Sequence, residues 1–271
     1  MKLSISNIAW DLEEEEGIIR TLLQHGVQDI EIAPTKIWGS PISCSEEDVD
    51  IYRSKWEAEN IGLHAMQSLL FGKPELLLFS AEHIRNELKK YLHRVMRLAN
   101  LMGIKVLVFG SPKNRFAGSL NIVEQLNIAI PFFYEIGEIA LENNLVFCIE
   151  PNPVQYGCDF ITNTAQGIEI VNEVSHPGFR LHLDAAAMAL NNENYHESIE
   201  KSLPILSHFH ISQPFLNLIG SDNLVDHKLI ANALKDNQYA HTISIEMKNG
   251  LTSSNNESVI SALDFVQRTY L

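Results

Sequence analysis

Residues 104–151 read IKVLVFGSPKNRFAGSLNIVEQLNIAIPFFYEIGEIALENNLVFCIEP. Ile104–Gly110 is a short apolar run rich in β-branched residues, and Leu145–Pro151 is a second. Runs of this length, bounded by turn formers, read as buried strands. Between them Asn121–Asn144 carries apolar residues at helical spacing. Pro131 lies inside that segment. It predicts a kink or a split, because proline has no amide hydrogen for the helix ladder. Strand, helix and strand joined by short loops form the repeating unit of a parallel sheet.

The same unit recurs along the chain. Further strands are predicted at Lys2–Ile8, Val27–Ala33, Ile61–Gln67, Phe179–Ala185, Ile205–Ile211 and Thr242–Lys248. With the first two they make eight, and their starts lie about 25 to 45 residues apart. Asp11–Gly26 places acids in a first turn, where the helix dipole favours them, and stops on glycine. Its tetrad Glu13–Glu16 reads as a solvated helix start. Ser80–Gly103 offers a serine N-cap and a glycine stop, and Glu257–Leu271 closes the chain. No linker rich in Pro, Gly or Ser divides these units. The pattern predicts one closed (β/α)8 TIM barrel over residues 1–271. A doubly wound sheet is the fallback, but it usually has a glycine-rich turn after the first strand, and Ser6–Gly17 has none.

Composition narrows the function. The chain has 271 residues, 45% of them hydrophobic, and a formal net charge of −14. That charge disfavours nucleic acid and anionic membranes as partners. Cys44, Cys148 and Cys158 are an odd set at spacings that suit neither disulfides nor a zinc knuckle, which predicts a reducing, cytoplasmic setting. Cys148 reads as core filling. The first residues contain no uninterrupted apolar stretch, so neither a signal peptide nor a membrane span is expected there.

Side chains alternate across a strand, so residues i and i+2 share a face. The last four strands carry Cys148 and Glu150, His182 and Asp184, His208 and His210, and Ser244 and Glu246 on one face. The intervening Ile149, Leu183, Phe209 and Ile245 are apolar and belong against the helices. The inward face therefore predicts an upper layer of Glu150, Asp184, His210 and Glu246, and a lower layer of Cys148, His182, His208 and Ser244. Three carboxylates converging on one point repel each other and cost several kcal/mol if buried without partners. A divalent cation resolves the conflict, and this donor set suits Mn²⁺, Mg²⁺, Co²⁺ or Zn²⁺. His182 and His208, a layer below, are candidates to orient the ligands by hydrogen bonds, or each is an ordinary hydrogen-bonded core histidine.

Other strand ends supply recognition groups. Lys113 and Arg115, in the loop after the fourth strand with Ser111 and Asn114, suggest an anionic substrate group. Gln67 can bond a hydroxyl of a bound ligand, and Trp10 and Phe71 can form an apolar wall or lid. Lys248 either reaches the substrate or caps its strand, and Glu31 is expected to pair with Lys or Arg near the mouth.

The ordered set CIEPNP (148–153), LHLDAAAM (181–188), HFHIS (208–212) and SIEMK (244–248) resembles the xylose-isomerase-like TIM-barrel superfamily, in particular its sugar and sugar-phosphate isomerases and epimerases. The resemblance spans the whole chain. It implies one divalent metal on Glu150, Asp184, His210 and Glu246. It also implies that Glu150 and Glu246 carry the proton of a sugar or sugar-derived hydroxy-carbonyl compound through a metal-stabilised enediolate. Proton return to the neighbouring carbon would isomerise an aldose or ketose, and return to the opposite face would epimerise it. Relatives of this kind are commonly homodimers or homotetramers. Three positions depart from the ketose 3-epimerase pattern: Ala187 stands for a histidine, Leu216 for an arginine and Tyr156 for a glutamate. They put the identity of the sugar in doubt. A metal-dependent dehydratase of the same superfamily would use the same base and expel a hydroxyl. A phosphodiesterase resembling the apurinic endonucleases would need further histidines on strands two and three and a basic groove, but strand two has no histidine and the net charge is −14.

Overall fold

The computed structural model describes residues 1–271. Eight parallel strands close on themselves in sequence order: β1 (Lys2–Ser6), β2 (Asp29–Ile32), β3 (Gly62–Met66), β4 (Val106–Phe109), β5 (Val146–Ile149), β6 (Phe179–Asp184), β7 (Leu206–Ser212) and β8 (Thr242–Glu246). β8 hydrogen-bonds back to β1, with Ser4 level with Ser244. Around them run α1 (Glu15–Gln24), α2 (Glu46–Glu57), α3 (Glu82–Leu101), α4 (Ile122–Glu142), α5 (Thr164–Val174), α6 (Ala185–Leu190), α7 (Tyr195–Ser202), α8 (His227–Asp236) and α9 (Asn255–Tyr270). This is the predicted (β/α)8 barrel. No helix is long and apolar enough to cross a membrane.

The apolar core lies between strands and helices. Phe109 and Phe179 meet Phe133 of α4, which stacks on Phe179 at 4.7 Å, and Phe147 packs against Phe109. α4 runs unbroken through Pro131. Pro131 and Asn127 are both exposed, so the carbonyl that loses its partner meets water, while Phe132, Phe133 and Ile136 hold the other face in the core. α3 starts one residue after Ala81 rather than on a Ser80 cap. The acidic tetrad is only partly solvated. Glu15 is buried and accepts hydrogen bonds from Tyr52 Oη and Lys55 Nζ at 2.7 Å each.

Two irregularities matter for the barrel interior. The pairing of β2 with β3 shifts between Ile30 and Glu31, and that of β6 with β7 between Leu181 and His182. Each skips one residue, as a bulge does, and re-aims the side chains beyond it. The second shift brings His182 level with His208 and Asp184 level with His210. The three thiols are unpaired, and Cys148 is buried, as expected for core filling.

Candidate active site

Strand tilt in a closed barrel staggers neighbouring strands. The flat two-layer arrangement expected from the sequence becomes a staircase. Cys148 is level with Arg180, which puts Glu150 at the height of His182. His210 is level with Asp184 on one side and Ser244 on the other. Glu246 is level with Ser212, one step higher. The four predicted ligands still converge, because the staircase climbs around the axis. One ligand atom each from Glu150, Asp184 and His210 lies within 4.8 Å of the others. Glu246 Oε2 stands 3.4 Å from His210 Nδ1.

Each group is held by its own partners. Asp184 ends β6 and caps α6, where Oδ1 accepts the Ala187 amide at 2.7 Å. Its Oδ2 accepts a short hydrogen bond from Ser212 Oγ. Gly110 lies against Glu150, since a Cβ on it would sit 2.2 Å from Glu150 Oε2. His210 Nε2 bonds Glu31 Oε2 at 2.9 Å and Oε1 at 3.1 Å. His208 Nε2 approaches the same carboxylate at 3.5 Å. Glu31 therefore pairs with histidines, not with the Lys or Arg expected at the mouth. It lies below the rim, where no lysine or arginine reaches it.

The electrostatics follow from this packing. Burial pushes the Glu150 carboxyl up to about 8, and Glu246 and Asp184 add repulsion. Burial and then Glu246 push Asp184 up to about 6. Burial opposes charge on His210, but Glu31 and Glu246 outweigh it and hold its pKa well above the usual imidazole range. Burial likewise opposes charge on Glu31, yet His210 and His208 keep it well below the carboxylate range. Burial, then His210 and His208, keep His182 neutral, and burial lowers His208 against the pull of Glu31. His182 Nε2 lies 3.9 Å from Glu150 Oε1, and its ring packs 4.1 Å from that of His210. Both histidines are thus beside the candidate ligands, but no ring nitrogen of either makes a hydrogen bond, so the expected orienting hydrogen bonds are not formed.

A divalent cation fits this donor set. His210 Nδ1 is buried without a hydrogen-bond partner, although an acceptor-only carboxylate lies beside it. Glu31 accepts a hydrogen bond from Nε2–H, which turns Nδ1 toward the carboxylates, where a bound cation would displace its proton and take its lone pair. Three repelling carboxylates complete an oxygen-rich set without thiolates, which suits Mn²⁺, Mg²⁺, Co²⁺ or Zn²⁺.

Above these groups opens a cavity of about 400 Å³. Its polar wall includes Gln67, Ser68, Ser111, Asn152, Ser212 and Gln213, and its apolar wall Val108, Pro112, Tyr156, Phe215 and Leu216. Gln67 was expected here; its Nε2 also donates a short bond to Ser6 Oγ. The other predicted contacts lie elsewhere. Arg115 is buried, and its guanidinium donates to the carbonyls of Gly110, Phe160, Ile161 and Glu150 and to Asn152 Oδ1. It braces the loops and has no donor left for an anion. Lys113 and Lys248 are exposed and off the cavity lining. Trp10 is buried against Trp56 at 6.4 Å, also off the lining, and Phe71 is 70% exposed. No lysine, arginine or histidine lines the cavity. Sequence reasoning missed Ser212, which the i+2 rule from His210 would have found, and Asn152 and Gln213, which lie just past strand ends.

Fold and site together define a TIM barrel with an acidic, imidazole-containing centre at its C-terminal mouth. The chain belongs to the xylose isomerase-like TIM barrel family, whose model matches residues 19–269. No curated protein sequence matches it. Among solved structures it resembles a D-psicose 3-epimerase from Clostridium cellulolyticum H10 with D-tagatose (16% identity, TM-score 0.82, 100% of this chain and 99% of that one). It also resembles a 3-keto-D-glucoside 4-epimerase from E. coli (14%, 0.82, 99% of each). A third likeness is the IolI protein with a bound zinc atom (18%, 0.77, 100% and 98%). At these identities the likeness is one of fold.

Proposed function

We propose that the protein is a divalent-metal-dependent isomerase or epimerase of a sugar or sugar-derived hydroxy-carbonyl compound. One observation carries the reading: Glu150 and Glu246 border the same cavity beside the unpartnered His210 Nδ1. Glu150, Asp184, His210 and Glu246 would hold the ion. When bound, it supplies Lewis-acid stabilisation of the negative charge that develops as a carbon beside a carbonyl loses its proton.

The chain's own groups do the rest. Glu150 enters from β5 and Glu246 from β8, so the two carboxylates approach a substrate from different sides. One takes the proton from carbon and the other returns a proton, to the opposite face or to the neighbouring carbon. Asp184 cannot easily share that task, since its oxygens accept from Ala187 and Ser212. The amide and hydroxyl groups of Gln67, Ser68, Asn152 and Gln213 are suited to hold sugar hydroxyls. The names of similar structures, two of them sugar epimerases, support this class of reaction.

The test is a panel of keto-sugars incubated in D₂O with the Mn²⁺-supplemented protein and followed by NMR. Solvent deuterium should enter one carbon without change of molecular composition beyond the label. Loss of water from the substrate would instead establish a dehydratase. No exchange with any sugar, with metal bound, would rule out the proposed chemistry.

A further inference from the structure

The cavity has two unlike halves. Its floor holds Glu150, Asp184 and Glu246. Its outer wall is formed by loop residues Tyr156, Phe215 and Leu216, with Pro112. No cationic side chain lines either half. A phosphate or carboxylate on the substrate would enter beside three acids with no Lys or Arg to receive it.

The outer wall is built under strain. Phe215 and Leu216 have φ of 61° and 58°, both left-handed. Bulky L-residues rarely adopt that region, and such strain persists where surrounding structure imposes it. Core packing does not account for Phe215, whose side chain is 59% exposed. Tyr156 helps to hold it there. The Phe215 amide donates to Tyr156 Oη at 3.3 Å, and the two rings meet edge to face at 5.5 Å. The rings make an aromatic corner beside the mouth. Burial, then Asp184, pushes the Tyr156 phenol well up from its ordinary value, so it stays uncharged.

We infer that the substrate is an uncharged keto-sugar bearing a second ring, a glycoside or disaccharide-like compound, whose non-reacting ring rests on Tyr156 and Phe215. This rests on the function proposed above and adds the substrate class. A sugar ring presents C–H groups on its faces, which suit an aromatic wall, and its hydroxyls remain at the wet rim.

Three ketoses that differ only at O6 test the inference: D-fructose, fructose 6-phosphate and 6-O-glucosyl-fructose. Each is titrated into Mn²⁺-loaded protein by calorimetry. The glucosyl compound should bind about tenfold more tightly than fructose, a ratio worth about 1.4 kcal/mol, and the phosphate most weakly. Phe215→Ala should bring the glucosyl-to-fructose ratio close to one, and Phe215→Tyr should keep it. Tighter binding of the phosphate, equal binding of fructose and its glucoside, or binding of none would overturn the inference. Deuterium exchange in the same samples reports separately on the chemistry. The expected order of affinities without exchange would discard proton transfer and leave the substrate class standing.

Discussion

Glu31 has no exposed surface, and its charge is balanced only by imidazoles. Its contact with His210 Nε2 selects which nitrogen faces the carboxylates. Glu31→Gln keeps the volume but offers one acceptor in place of two, and its amide can turn a donor toward Nε2. Metal affinity should then fall about 10- to 100-fold, the usual loss when a ligand's supporting partner is removed, as measured by competition with a chelating dye. Unchanged affinity would show that Glu31 does not set the ring. Glu246 has a different task. Glu246→Gln should keep the fold, read by far-UV circular dichroism, and lower turnover at saturating metal about 10²- to 10⁴-fold, the range for loss of an acid–base group. Turnover within a few-fold of the parent would remove Glu246 from the proton path.

At the scale of elements, β5 to β8 were legible because their inward residues are polar and their outward residues apolar, so parity alone assigns each face. Eight short apolar runs with helical spacing between them made the barrel legible too. Relative height was not. It depends on stagger between strands, and on two bulges, at His64 of β3 and Ser207 of β7, that nothing in the flanking residues announces. Loops were less legible still. Arg115 reads as an anion clamp by type, but its direction depends on carbonyls of residues 110, 150, 160 and 161 that the fold gathers from three segments. Gly110 gave no signal either, since nothing nearby in the chain shows that Glu150 lies against it. Gly110→Ala tests that contact. The added methyl must displace the Glu150 carboxylate, the movable end of a side chain, so the fold should survive. Metal affinity should drop about tenfold or more, with far-UV circular dichroism unchanged. Full metal affinity would mean that Glu150 ligates from another position.

For the whole molecule, the acidic centre sets a conflict between folding and pH that a bound cation would remove. In the metal-free protein Glu150, near 8, and His210, well above the imidazole range, hold protons that the unfolded chain releases at lower pH. Groups with raised pKa stabilise the fold at low pH, and that contribution is lost as pH rises through the folded value. The buried, neutral His64, His182, His208 and His227 act the other way. Their effect is complete once the pH exceeds about 6.5, the ordinary imidazole value. Between about pH 6.5 and 8.5 only the raised groups therefore titrate differently in the two states. An excess of one bound proton changes stability by about 1.4 kcal/mol per pH unit, or about 3 °C in melting temperature for a chain of this size. The metal-free protein should thus melt at least that much lower at pH 8.5 than at 6.5. Mn²⁺ at about 100 times its Kd adds roughly 2.7 kcal/mol and displaces those protons, so it should raise the melting temperature at both pH values and more at 8.5. Thermal melts with EDTA and with Mn²⁺ at the two pH values measure this directly. A metal-free melting temperature that stays level or climbs with pH would mean that the three carboxylates do not crowd one another at the barrel mouth.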